Sequence, residues 1–157
     1  MNLKYKDMKG QKVLVIHNNE IARKSIHQTL AHFNLHFIFA SDGLDGLAAA
    51  KYECPDLIIT NINLAVLDGM SISKMLRKDC CTEGKPIILL HDQLDYDLLR
   101  EAKKLNVKAL LTKPYLDNTL IYAVKRALQT PLERTLDRVP RYEEVVTRRQ
   151  PVHRFAN

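Results

Sequence analysis

Four apolar stretches of this chain end in side chains that can bind or react. "KVLVIHNNE" runs into His17 and Asn18, "PDLIITN" into Asn61, "PIILLHD" into His91 and Asp92, and "KALLTKP" into Thr112 and Lys113. Two imidazoles and an ammonium group brought together would make a neutral to positive pocket, suited to an anion or a partner's carboxylate. Asp92 and Glu20 offset that charge. His17 and His91 could also ligate a transition metal, but two histidines without a thiolate or paired carboxylate are a thin donor set. Polar side chains satisfied by each other, with Lys113 bonded to Asn61, are the simpler reading. Asn61 is the most telling position. A carboxylate at the tip of a buried strand can act as a nucleophile and hold a hard cation; a carboxamide is no nucleophile and offers only a neutral oxygen.

For these residues to meet, the runs that carry them must lie side by side. Apolar, β-branched runs at 12–17, 35–40, 56–61, 86–91 and 108–112 read as buried strands. Between and after them come helical patterns at 20–33, 41–53 (a turn, then a helix), 69–79, 95–105 and 116–128. Ala22, Ile26, Leu30 and Phe33 share one helical face, as do Leu120, Val124 and Leu128. Asn106 follows a helix where a left-handed residue is expected. Alternating strands and helices predict an α/β fold, a doubly wound, five-stranded parallel sheet covered on both faces. Ligands of such folds bind beyond the carboxyl ends of the strands, which is where the residues named above fall.

The 157 residues divide into a basic N-terminal arm (1–10), one domain (11–129) and a C-terminal extension (130–157). In the extension, Thr130, Pro131 and the apolar spacing of Leu132, Leu136 and Val139 predict a short amphipathic helix, followed by an irregular basic tail. The formal charge is +6, but the extension holds six Arg against four Asp and Glu, so the excess is spread along the chain. A nucleic-acid interface wants a concentrated patch; binding through "RYEEVVTRRQPVHRF" is therefore an alternative, not the leading expectation. No apolar run approaches the roughly 18 residues of a membrane span, and "MNLKYKDMKG" lacks the apolar core of a secretory signal. A cytoplasmic protein without membrane insertion is expected. Cys54, Cys80 and Cys81 fit no common zinc spacing and read as ordinary thiols of a reducing compartment. His27, His32 and His36 read as solvated. There is no Gly-rich phosphate loop and no positional support for a Ser-His-Asp or Cys-His arrangement.

In order and in register, these segments resemble the receiver domain of two-component response regulators over about residues 11–129, in its single-domain, chemotaxis-type form. "KVLVIHNNE" stands where that family has a strand ending in two acidic residues. "SDGLDGLAAA" matches its second loop and helix, "PDLIITNINLAVLDG" the strand and loop of its phospho-accepting Asp, "KPIILLH" the strand ending in Thr or Ser, and "ALLTKPY" the strand ending in Lys-Pro. The resemblance implies a flavodoxin-like sheet in the order 2-1-3-4-5 and a bacterial signalling role. It also implies where this chain departs. His17 and Asn18 replace the magnesium-holding acidic pair, Asn61 the nucleophile, His91 the phosphoryl-sensing hydroxyl, Leu110 the switch aromatic and Ala65 the loop proline; Lys113 and Pro114 are kept.

These departures predict a degenerate receiver: no enzyme, no cofactor, no metal and no phosphorylation at Asn61, stable without magnesium, working through protein partners. The face that the family uses for partners and dimers, its fourth helix, fifth strand and fifth helix, offers Tyr96, Leu99, Tyr115 and Tyr122 as anchors; a homodimer through that face or through the tail is a further expectation. Phosphorylation at Asp92 or Asp68, or an ion pocket built from His17, His91 and Lys113, are the remaining alternatives.

Overall fold

A computed structural model of the chain describes residues 8–128. Strands β1 (Lys12–Ile16), β2 (His36–Ala40), β3 (Leu57–Asn61), β4 (Ile87–His91) and β5 (Ala109–Thr112) form one parallel sheet in the order β2-β1-β3-β4-β5. Helices α1 (Glu20–Leu30), α2 (Gly43–Glu53), α3 (Gly69–Leu76), α4 (Tyr96–Lys104) and α5 (Asp117–Ala127) follow the strands in turn. This is the α/β, doubly wound architecture that the alternation predicts.

Alternate residues of each strand feed two cores. Val13, Val15, Leu57, Ile59, Ile88 and Leu90 face α1 and α5, whereas Leu14, Ile16, Ile58, Ile87, Leu89 and Leu110 face α2, α3 and α4. Side chains in a strand alternate between faces, so strands apolar throughout must be covered on both sides. Asn19, Asp42, Asp68 and Asp95 each accept backbone N–H groups and start α1 to α4. Asn106 takes the expected left-handed conformation (φ 52°). Two helices are shorter than their patterns. The 20–33 segment divides into α1 and a 3₁₀ turn (Ala31–Phe33) that ends at left-handed Asn34, and α3 stops at Leu76, whose carbonyl accepts from Thr82 Oγ1 (2.8 Å).

The loop after α3 is organised by Arg77. Its guanidinium donates to the carbonyls of Leu105 (2.7 Å), Lys85 (2.7 Å), Glu83 (3.0 Å), Thr82 (3.3 Å) and Asn106 (3.3 Å). Half-buried and served by dipoles alone, its pKa is lowered by desolvation. The same loop corrects the cysteine reading. Cys54, at the C-cap of α2, and Cys81 are joined as a disulfide with Cα atoms 5.8 Å apart, leaving Cys80 as the free, exposed thiol among the three. Adjacent cysteines gave no pairing signal, because the partner lies 27 residues away on another helix end.

Among the described residues, no helix is long and apolar enough to cross a membrane. The start of the basic arm, the helix expected at 131–139 and the basic tail lie outside the described residues.

Candidate functional site

The strand ends bring His17, Asn18, Asn61, His91 and Lys113 to the C-terminal edge of the sheet, as expected for a parallel α/β fold. Asn61 is the last residue of β3 and is 2% exposed. Its Oδ1 accepts from Lys113 Nζ (2.8 Å), and its Nδ2 donates to Asn18 Oδ1 (3.2 Å) and to the Asn63 carbonyl (3.1 Å). The carboxamide therefore uses both of its ends, and the Lys113–Asn61 pairing matches the simpler of the readings drawn from sequence. Lys113 Nζ also lies 3.5 Å from Asp92 Oδ1, so a carboxylate does stand beside it. Asp92 Oδ2 accepts from Asn63 Nδ2 at 2.7 Å.

His17 follows β1 and is buried. Its Nδ1 accepts from the Asn19 N–H (3.0 Å), and its carbonyl accepts from Arg23 Nη1 (2.5 Å). Burial, then the charges of Lys113 and Arg23, pull its pKa down to about 4 against the opposing pull of Asp92, which keeps the ring neutral at physiological pH. Buried His91 ends β4, and its Nε2 sits 3.1 Å from Thr112 Oγ1. Asn63, Asn19 and Arg23 thus belong to the site although the strand-end rule does not reach them. Asn63, two residues past Asn61, was the one within reach of a sequence argument.

The loop from Asn61 to Gly69 is tightly built. A Cβ on Gly69 would come within 2.5 Å of the Asn61 carbonyl, so only glycine lets α3 start this close to β3. Leu67 N–H donates to the Ala65 carbonyl (2.7 Å), closing a turn whose central Val66 sits at φ 68° and 89% exposed. Left-handed backbone is unfavourable for a β-branched residue, so this loop holds local strain next to the pocket.

Magnesium, which the family resemblance implies, does not suit the residues present. The amide oxygens of Asn18 and Asn61 already accept from protein donors, and the Nδ1 of His17 accepts a backbone N–H. Asp92 is the carboxylate at hand and is engaged by Asn63 and Lys113. Hard cations prefer carboxylate and water oxygens, and no group of three His, Cys, Asp or Glu side chains that could hold a metal occurs among the described residues.

On the face built by α4, β5 and α5, Tyr96 is 85% exposed and Leu110 is buried in the core beneath. Leu99 and Tyr115 pack partly into the two cores, and Tyr122 lies under the Arg126 guanidinium (6.0 Å). Burial, with help from Asp117, raises the Tyr115 pKa. Only Tyr96 of the four is a fully presented anchor. His27 is exposed, as expected, and also packs edge-on against Phe37 (4.9 Å) and Phe39 (6.0 Å).

Comparison with known proteins agrees with this architecture. The chain is 26% identical to Protein PilG of Pseudomonas aeruginosa over 74% of its own length and 86% of that protein. It is 25% identical to sporulation initiation phosphotransferase F of Bacillus subtilis over 77% of its length and 96% of that protein. Among solved structures it is similar to the chemotaxis protein CheY4 of Vibrio cholerae, with a TM-score of 0.71 and 27% identity over 76% of this chain and 99% of that one. The response regulator receiver domain profile matches residues 13–125. With that match and five parallel strands in the order β2-β1-β3-β4-β5, the chain belongs to the response regulator receiver domain family.

Proposed function

We propose that this receiver signals without accepting a phosphoryl group and serves as a non-catalytic protein-interaction module. The observation that carries the reading is the state of Asn61. Phosphoryl transfer to a receiver needs a carboxylate nucleophile and a divalent cation to neutralise developing charge. At the tip of β3 stands a carboxamide whose oxygen accepts from Lys113 and whose nitrogen donates to Asn18 and Asn63. The neighbours that would hold the cation are an imidazole and a second carboxamide. Leu110, buried on β5, has no ring to swing between two positions. What the scaffold retains is its surface, and Tyr96 with its 85% exposure is the most available aromatic anchor on the α4–β5–α5 face. Aromatic residues of this kind are enriched among interface hot spots.

The test is incubation of the full chain with labelled acetyl phosphate and magnesium. No acyl phosphate is expected, and partner binding measured with and without the phosphodonor should be equal. Stoichiometric, alkali-labile label would overturn the reading, and mapping it to Asp92 or Asp68 would identify an alternative acceptor. A chain ending at Gln129 that keeps its partners would assign binding to the domain and not to the extension.

A further inference from the structure

The edge strand β2 carries a self-complementary surface that the pocket does not explain. In a parallel sheet, the N–H and C=O of one residue point to the same neighbour, and the next residue points its pair the other way. His36 N–H donates to the Gln11 carbonyl (2.8 Å) and the Ala40 carbonyl accepts from His17 N–H (3.0 Å). His36, Ile38 and Ala40 therefore turn their backbone groups toward β1, and Phe37 and Phe39 turn theirs to the outer edge, where no further strand lies among the described residues. The same two residues place their side chains on one face. Their rings stack with centroids 5.9 Å apart and 9° between planes, and Phe39 remains 44% exposed.

Natural edge strands are usually blunted by Lys, Pro or a bulge. The "LHFIFAS" segment has none of these, whereas the opposite edge, β5, is bracketed in sequence by Lys108 and Lys113. A second copy would also avoid charge here. The chain carries a formal +6, and like charges disfavour association, but this segment has no Lys, Arg, Asp or Glu.

We infer that β2 is the interface between two copies of this chain, paired antiparallel about a two-fold axis at Ile38. That register places Phe37 opposite the partner's Phe39 as a hydrogen-bonded pair, using the backbone groups that face outward. It places Ile38 opposite its own copy as a non-hydrogen-bonded pair, whose backbone groups are already spent on β1. Four phenylalanine rings then line one face of a two-stranded seam, where cross-strand aromatic pairs are favourable. The interface is isologous, as a two-fold dimer requires. It lies at the far edge of the sheet from the α4–β5–α5 face and does not depend on the phosphorylation-independent reading.

The full chain should sediment at twice its 18.1 kDa mass at concentrations of tens of micromolar. Phe39→Lys, at a position exposed enough to fold, should weaken self-association at least tenfold with an unchanged circular dichroism spectrum. Ile38→Cys in a Cys80→Ser background should give a covalent dimer on oxidation, because Cα atoms of a non-hydrogen-bonded pair lie about 4.5 Å apart, within disulfide reach. A monomer at 100 micromolar would overturn the inference, whether the edge is free or covered by the chain's own residues. A dimer that Phe39→Lys leaves intact, and that Ile38→Cys does not cross-link, would place the second copy elsewhere and overturn it equally.

Discussion

Lys113 Nζ donates a 2.8 Å hydrogen bond to Asn61 Oδ1, across the ends of β5 and β3. A cation held by a neutral amide gains less than it would from a carboxylate, but the bond satisfies a buried oxygen. Lys113→Met should leave that oxygen without its donor, and a buried acceptor left unsatisfied costs about 1–3 kcal/mol. The change also removes the 3.5 Å pair with Asp92, while the cost of partly desolvating the ammonium is recovered, so a net loss near the low end is expected in urea unfolding. An unchanged midpoint would mean that water replaces Lys113 without penalty.

His17 makes stability depend on pH. Its pKa falls from 6.5 unfolded to about 4 folded, through burial first and then the charges of Lys113 and Arg23. The unfolded state therefore takes up a proton more readily than the native state. The contribution is fully present above about pH 6.5 and is lost as pH falls toward 4. Between about pH 7.5 and about pH 5 the loss is on the order of 2 kcal/mol. Asn at position 17 keeps an acceptor for the Asn19 N–H but does not titrate. The difference between wild type and His17→Asn should carry the whole slope; parallel pH profiles would assign it to other groups.

Arg77 should be irreplaceable by lysine. The planar guanidinium reaches five carbonyls from the loops on either side of it, a geometry that a single ammonium cannot reproduce. Arg77→Lys is expected to cost about 2–3 kcal/mol, since hydrogen bonds to charged groups are worth about 1.5–3 kcal/mol and several carbonyls lose theirs. Equilibrium denaturation measures this, and a loss under about 0.5 kcal/mol would show that water fills the gap.

Residues whose role follows from their own strand or helix were legible in the sequence. The apolar runs gave the strands, their last residues gave Asn61, His91 and Lys113, and Asn106 was recognisable from its place after α4. Arg77 was not, because its partners are carbonyls up to 29 positions away and carry no side-chain signature. Nor was the Asn63–Asp92 bond, which exists only because β3 and β4 are neighbours. The pairing of Cys54 with Cys81 depends on how α2 and α3 end side by side. The run at 35–40 reads as a buried strand, yet Phe39 is 44% exposed, because β2 lies at the edge of the sheet and that position depends on the strand order.

The Cys54–Cys81 bridge gives a thiol count that can be read directly. Native chain should offer one alkylatable thiol, Cys80, and three after reduction and unfolding. Closing a loop between residues 27 apart restricts the unfolded chain; the entropic model gives about 3–4 kcal/mol for such a loop, and measured values are typically about 2–4 kcal/mol. Cys54→Ser should therefore lower stability by that order under oxidising conditions and by little in excess reductant. Three reactive thiols in the oxidised native protein would exclude the bridge.

Restoring one carboxylate should not restore a receiver's chemistry. In Asn61→Asp, the new carboxylate keeps Lys113 as a donor and gains a charge-assisted bond. It also turns an acceptor toward Asn18 Oδ1 and the Asn63 carbonyl, both of which lose the donor they now have. These changes oppose each other, and a stability change within about 1 kcal/mol is expected. Magnesium still meets an imidazole and an amide at positions 17 and 18, so label from acetyl phosphate should stay at background. The triple change His17→Asp, Asn18→Asp, Asn61→Asp supplies the oxygens a hard cation prefers. Carboxylates about 5 Å apart repel by roughly 3 kcal/mol at an effective dielectric near 20, so the triple variant should melt below wild type without magnesium and rise by several degrees in millimolar magnesium. Wild type and Asn61→Asp should shift by less than about one degree. Stoichiometric labelling of Asn61→Asp alone would mean that the pocket around residue 61 had kept a competent cation site, and the phosphorylation-independent reading would then rest on one residue only.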